Sequence, residues 1–167
     1  MAVDELDARI LELFATEPRV GVLEASRRLG VARGTVQARL DRLNRDGVVR
    51  GWGPDLSTEA IGYPVTAFAT LQIEQGTGHT SVAAALARIP EVLEVYTITG
   101  AEDLWCRIVA RSNADLQRVI DQVVVVRGIQ RASTVIALAE QIPHRTLPLL
   151  RAATSGQPAV ADQPAAD

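Results

Sequence analysis

One cysteine, no lysine and no long apolar run set the first limits on this chain of 167 residues. A single thiol, Cys106, rules out an intrachain disulfide and any thiolate-rich zinc site. The two histidines, His79 and His144, have no metal-ligand spacing between them, and neither a phosphate-binding glycine loop nor a serine elbow occurs. No apolar stretch approaches the roughly 18 residues that a membrane span needs. The N-terminal MAVDELDARILELF is acidic and amphipathic, unlike a basic leader followed by an apolar segment. A soluble cytoplasmic protein is therefore expected, with no metal, no cofactor and no membrane contact. No reactive groups converge, so it is not expected to be an enzyme. Cys106 lies in LWCRIVA, where its neighbours read as core, and is taken as packing rather than as a nucleophile. The exclusive use of arginine as the basic residue carries little functional weight.

What is present is unevenly distributed. The formal net charge is −3, which taken alone argues against a nucleic-acid partner. Between Arg19 and Arg50, however, eight arginines stand against Glu24, Asp41 and Asp46, a local excess of five positive charges. The rest of the chain is correspondingly acidic. Such a split is expected where one module meets phosphate and another does something else.

The basic segment has a distinctive layout. Leu6, Ile10, Leu13 and Phe14 mark a first helix with Pro18 as its stop. A second helix, Val22 to Leu29, ends at Gly30, where a residue tolerating positive φ lets the chain turn. Val31, Val36, Leu40 and Leu43 then recur at near-helical spacing and define the buried stripe of a third helix from Arg33 to Asp46. Gly47 closes it, and Val48, Val49 and Trp52 read as a short strand. Two short helices, a tight turn and a basic second helix are the layout of a helix-turn-helix DNA reader, here residues 1–51. Its partner would be double-stranded DNA. The outward faces of the third helix carry Arg33, Gly34, Thr35, Gln37, Arg39 and Arg42. Arg33, Thr35 and Gln37 are expected to face bases, and Arg39 and Arg42 phosphates, with Arg27 and Arg28 as weaker phosphate candidates.

A linker, residues 52–64, is marked by Gly53, Pro54, Gly62 and Pro64. The period then changes to that of a strand, with Val65, Ala67, Ala69, Leu71 and Ile73 alternating with more polar neighbours. A helix over 80–89, strands over 92–99 and 104–110, a helix over 114–124 and a strand over 129–139 complete the order βαββαβ. The run of four valines at 123–126 fits either a helix end or a strand. The expected class is α+β, with a winged helix-turn-helix followed by a ferredoxin-like domain at 65–147. Two helices cover one sheet face, yet strand 104–110 carries Trp105 and Val109 opposite Leu104, Cys106 and Ile108. A second copy on the bare face is the economical answer, and a two-fold dimer also suits a symmetric operator. Residues 152–167 are small, polar and proline-bearing and are expected to be disordered.

Taken in order, LDARILEL, RRLGVARGTVQARLDRLNRDGVVRG, GYPVTAFATLQI and VYTITGAEDLWCRIVAR resemble the leucine-responsive regulator/AsnC (feast/famine) family of prokaryotic transcription factors, over about Leu6 to Leu147. The resemblance implies a sequence-specific DNA-binding regulator that dimerises through its sheet and commonly assembles to octamers. It also implies a small effector, typically an amino acid, bound where dimers meet. Carried over by position, the family's glycine-x-x-aspartate loop falls on Gly100, Ala101, Glu102 and Asp103, preceded by Thr99, and its last-strand threonine falls on Thr134. Glycine-turn N–H groups suit an α-carboxylate and a fixed aspartate suits an α-ammonium. Gly100 and Asp103 are equally ordinary hairpin-turn residues.

This chain departs from the family pattern at several places. Glu102 stands where an aromatic residue is usual and Ala101 where an acid is frequent. The change either shifts preference toward a cationic ligand such as arginine or lysine, or leaves the pocket blind to effectors. Ala32 replaces a serine that would cap the recognition helix, and Ser26 replaces a small alanine. Two other functions fit a similar layout: a tetrapyrrole decarboxylase of the haem pathway, and an assembly or effector-sensing subunit without DNA binding.

Overall fold

The computed structural model describes residues 3–155 apart from residue 75. The elements are α1 (Glu5–Thr16), α2 (Val22–Leu29), α3 (Arg33–Arg45), β1 (Val65–Ile73), α4 (His79–Leu86), β2 (Val92–Thr97), β3 (Leu104–Ala110), α5 (Asn113–Val124), β4 (Ile129–Ile136) and α6 (Leu147–Ser155). They form two compact units. One takes in the chain through Pro54 together with the chain from Ile142 onward, and the other is Asp55–Gln141.

In the first unit, Asp4 starts α1 with a reciprocal cap. Its side chain accepts from the Asp7 amide at 2.9 Å while the Asp7 carboxylate accepts from the Asp4 amide at 3.1 Å. Gly30 ends α2 at φ 69°, a left-handed conformation that lets the chain turn into α3. The three helices close on Ile10, Ala25, Val36 and Leu40, with Leu6, Leu13, Phe14, Leu29 and Val31 packed around them. The short strand expected at Val48, Val49 and Trp52 is not formed. The amides of Val48 and Val49 both donate to the Leu43 carbonyl, at 2.9 and 3.1 Å, so they close α3 instead of pairing with a neighbour. Trp52 sits edge-on against Phe14 with ring centroids 5.6 Å apart.

The expectation of disorder from residue 152 also needs correction. Residues 152–155 belong to α6, whose Leu147, Leu150 and Thr154 are partly buried at helical spacing. This helix packs on α1, and Arg151 Nε donates to Glu12 Oε1 at 2.6 Å. The remainder of the expected tail, 156–167, lies outside the described residues.

The second unit is a four-stranded sheet in the order β2-β3-β1-β4, every neighbouring pair antiparallel. Helices α4 and α5 share one face of it. Val82, Leu86, Leu116, Val119 and Val123 meet Ala67, Ala69, Leu71, Leu104, Cys106 and Ile108 in one core. The valine run resolves as a helix end, with Val124 the last helical residue and Val125 its cap. Three expected elements are shorter than their periodicity suggests. α4 stops at Leu86, where the amides of Arg88 and Ile89 turn back to Ala85 and Leu86. β2 stops at Thr97, because the Ile98 amide donates to the Asp103 carbonyl and closes the hairpin. β4 stops at Ile136. Residues expected as linker are not all unstructured: Ser57 Oγ accepts from the Ala60 amide at 3.1 Å in a turn that ends with the Tyr63 amide on the Thr58 carbonyl at 2.8 Å.

On the sheet face away from the helices, Trp105 stacks on Phe68 at 5.1 Å and leans against Tyr96 at 5.7 Å between centroids. Tyr96 and Val135 are exposed there. Val109, expected on the bare face with Trp105, is instead buried by its own chain, 3% exposed.

Candidate functional site

The N-terminal turn of α3 is open. Arg33, Gly34 and Gln37 are exposed and Thr35 is half-buried, while the buried stripe of Val36, Leu40 and Leu43 fixes the opposite face. Ala32 occupies the cap position in an extended conformation and offers no side-chain acceptor. No acidic residue lies in the first turn. The helix therefore presents the positive end of its dipole beside the Arg33 guanidinium, an arrangement suited to phosphate and to acceptors on base edges. Gln37 Nε2 donates to Asp41 Oδ1 at 2.8 Å on the helix surface. Arg45, further along the exposed side, has no carboxylate partner among the described residues. It was missed in the sequence, although it stands four positions beyond Asp41, whose side chain meets Gln37 on the same exposed surface.

Arg39 and Arg42, expected to meet phosphate, are both paired with carboxylates at the start of α1. Arg39 Nη1 donates to Asp7 Oδ1 at 3.0 Å and also to Asp4, and Arg42 Nη2 donates to the second oxygen of Asp7. Asp7 is fully buried and receives both guanidiniums. The hydrogen bond from Arg39 holds the Asp4 carboxyl below the usual carboxylate range, and the same bond raises the Arg39 pKa. These two arginines fasten α3 to α1. Arg28 is likewise engaged, donating to Glu24 at 2.9 Å and to Glu17 at 2.6 Å, whereas Arg27 remains largely exposed, 3.9 Å from Glu24.

In the second unit the loop between β2 and β3 carries Thr99, Gly100, Ala101, Glu102 and Asp103. Gly100 adopts φ 127°, a backbone conformation that favours glycine. Asp103 anchors the loop to β1: its Oδ2 accepts from the Ile73 amide at 2.8 Å and its own amide donates to the Leu71 carbonyl at 2.9 Å. Gln72 Nε2 donates to the Ala101 carbonyl at 3.1 Å. The loop therefore has a defined shape, with Thr99, Gly100 and Ala101 exposed at its tip. Glu102 contributes no bond to it, and one carboxylate oxygen, Oε2, is buried with no hydrogen-bond partner among the described residues. Thr134 lies on edge strand β4 opposite Ala69. β1 stands between that strand and β3, so one chain does not bring Thr134 to the loop.

Burial pushes the Cys106 thiol up to about 11. Among the described residues no cluster of metal-ligating side chains forms, and no helix is long and apolar enough to cross a membrane.

Comparison with known proteins agrees with both units. Residues 3–44 match the AsnC-type helix-turn-helix domain and residues 66–147 match the Lrp/AsnC ligand binding domain. An HTH-type transcriptional regulator of Pyrococcus furiosus is 33% identical over 138 residues, 83% of this chain and 93% of the relative. The structure of Escherichia coli AsnC is 28% identical with a TM-score of 0.81, covering 89% of this chain and all of that one. A Neisseria meningitidis transcriptional regulator in complex with L-methionine is 26% identical with a TM-score of 0.77, covering 87% of this chain and 95% of the other. The mixed α+β architecture is theirs, and the decarboxylase alternative is set aside. The chain belongs to the Lrp/AsnC family, and is a DNA-binding transcriptional regulator rather than an enzyme.

Proposed function

We propose that this regulator works as a homodimer, assembling further toward an octamer, which reads a two-fold operator through α3 and is controlled by an amino acid held at the β2–β3 loop. The observation that carries the DNA-reading part is the uncapped, acid-free first turn of α3 with Arg33, Gly34, Thr35 and Gln37 around it. Arg33, Thr35 and Gln37 read base edges. Arg27 and Arg45 meet phosphate, and Arg39 and Arg42 hold the helix in place from behind. The row of Tyr96, Trp105, Phe68 and Val135, exposed at its two ends and half-buried between them, is apolar surface of the kind a second copy covers. An amino-acid effector is supported by the L-methionine complex of the Neisseria relative. The loop suits such a ligand, since Gly100 and Ala101 leave backbone at the exposed tip for an α-carboxylate. Thr134, on the far edge strand, would reach a loop only across a contact between copies.

The test is a gel shift on the protein's own upstream region at two salt concentrations, with and without a panel of amino acids. A specific, salt-sensitive shift altered by one amino acid is expected. Gln37→Ala should relax sequence preference, whereas Arg45→Ala should weaken all sites alike and flatten the salt dependence. A protein that shifts no DNA under any condition, or variants with identical patterns, would overturn the assignment.

A further inference from the structure

We infer that the effector at the β2–β3 loop carries a cationic side chain, and that Glu102 is the residue that selects it. This rests on the reading of the loop as the amino-acid site and adds the class of amino acid. Within the loop the two neighbouring carboxylates have different positions. Asp103 is committed to the fold, with Oδ2 on the Ile73 amide at 2.8 Å and its amide on the Leu71 carbonyl at 2.9 Å. Glu102 builds nothing: no amide, hydroxyl or guanidinium among the described residues donates to it, and its Oε2 is shut off from water.

A carboxylate oxygen without either water or a donor is costly, and folded proteins seldom leave one in that condition without a role for it. The missing donor is one the single chain does not supply. A neutral amino acid has its only ammonium at the α-carbon, which leaves no second cation for Glu102 once its α-carboxylate faces the loop N–H groups and its ammonium the free oxygen of Asp103. Arginine and lysine bring the second cation on a flexible stem, and turning the Glu102 side chain toward the open tip brings its carboxylate out to meet that cation. The absence of a side chain beyond Cβ at Ala101 leaves the tip open for that stem.

The experiment is calorimetric titration of the full chain with L-arginine, L-citrulline, L-lysine, L-leucine and L-methionine, on the native protein and on Glu102→Gln. Citrulline keeps the shape of arginine and removes its charge. Arginine or lysine should bind the native chain at least about tenfold more tightly than citrulline or leucine. Glu102→Gln, which keeps the size of the side chain and removes its charge, should erase that preference. Citrulline, leucine or methionine binding as tightly as arginine, or a preference that survives Glu102→Gln, overturns the inference and leaves the amino-acid site standing. No heat with any amino acid removes both.

Discussion

Asp7→Asn tests what holds the recognition helix in place. The carboxylate is 0% exposed and accepts from the Asp4 amide at 3.1 Å, from Arg39 at 3.0 Å and from Arg42. Removing one partner of a buried ion pair costs about 3–5 kcal/mol. The two guanidinium side chains are 28% and 31% exposed, so water recovers part of their solvation. The lower end applies, about 3 kcal/mol. Asparagine fits the space but turns an NH2 donor toward a guanidinium that is itself all donor, so one of the two bonds is lost outright. In a unit of this size each kcal/mol moves the midpoint by about 4–8 °C. The thermal transition of the first unit, followed by circular dichroism and Trp52 fluorescence, should therefore fall by at least about 12 °C. Arg42→Ala and the double variant complete a cycle in which the two losses are far from additive. A fall of under about 4 °C together with additive losses would refute the reasoning.

Ala32→Ser should restore a side-chain acceptor at the start of α3, where none is present. It should add about 1 kcal/mol of stability, read as a rise in melting temperature, and no change would mean that the helix end is already satisfied. Arg39 beside Asp4 and Arg118 beside Asp115 hold both carboxyls below their ordinary value of 3.8. A depressed folded-state value gives stability that is present above the unfolded value and lost as pH falls through the folded one. Urea midpoints should thus drop as the medium is acidified below that value, with the drop made shallower by Asp115→Asn; an unchanged acid limb in that variant would count against the pair. The Cys106 thiol, buried and raised to about 11, should be silent to thiol reagents at mildly alkaline pH in the native protein and fully reactive in denaturant. Prompt reaction without denaturant would show that the sheet core opens.

Much of this arrangement is legible in the chain itself. The bounds of α2 and its glycine stop follow from spacing and from Gly30, and β1 follows from strict alternation. The ion pairs of the two arginines on the inner flank of α3 are not legible in the sequence, because periodicity says which face is apolar but not which neighbouring helix supplies a counter-charge. The signal was present as acids three apart, Asp4 and Asp7, answered by arginines three apart, Arg39 and Arg42. Val48 and Val49 look like strand because they are β-branched, yet two amides converging on one carbonyl at the end of α3 outweigh that preference. α6 was overlooked where its sequence turns small and polar, since its helix is set by Leu147 and Leu150 ahead of that stretch and by Arg151 meeting Glu12. The effector loop was found by its glycine and aspartate, but which of its carboxylates is committed to the backbone depends on β1, some thirty positions earlier in the chain.

The return of α6 to α1 makes the first unit discontinuous: Asp55–Gln141 is inserted between its main body and its last helix. The attachment of α6 is modest, a largely exposed ion pair and two partly buried leucines. Closing a disordered loop as long as the insertion costs roughly 4 kcal/mol in chain entropy, more than such an attachment returns. When the inserted unit is folded, that entropy has already been surrendered in its own folding. The helix is thus a clasp held shut by the order of the segment it encloses, and melting the effector unit should unfasten it from α1 before the three-helix core itself gives way.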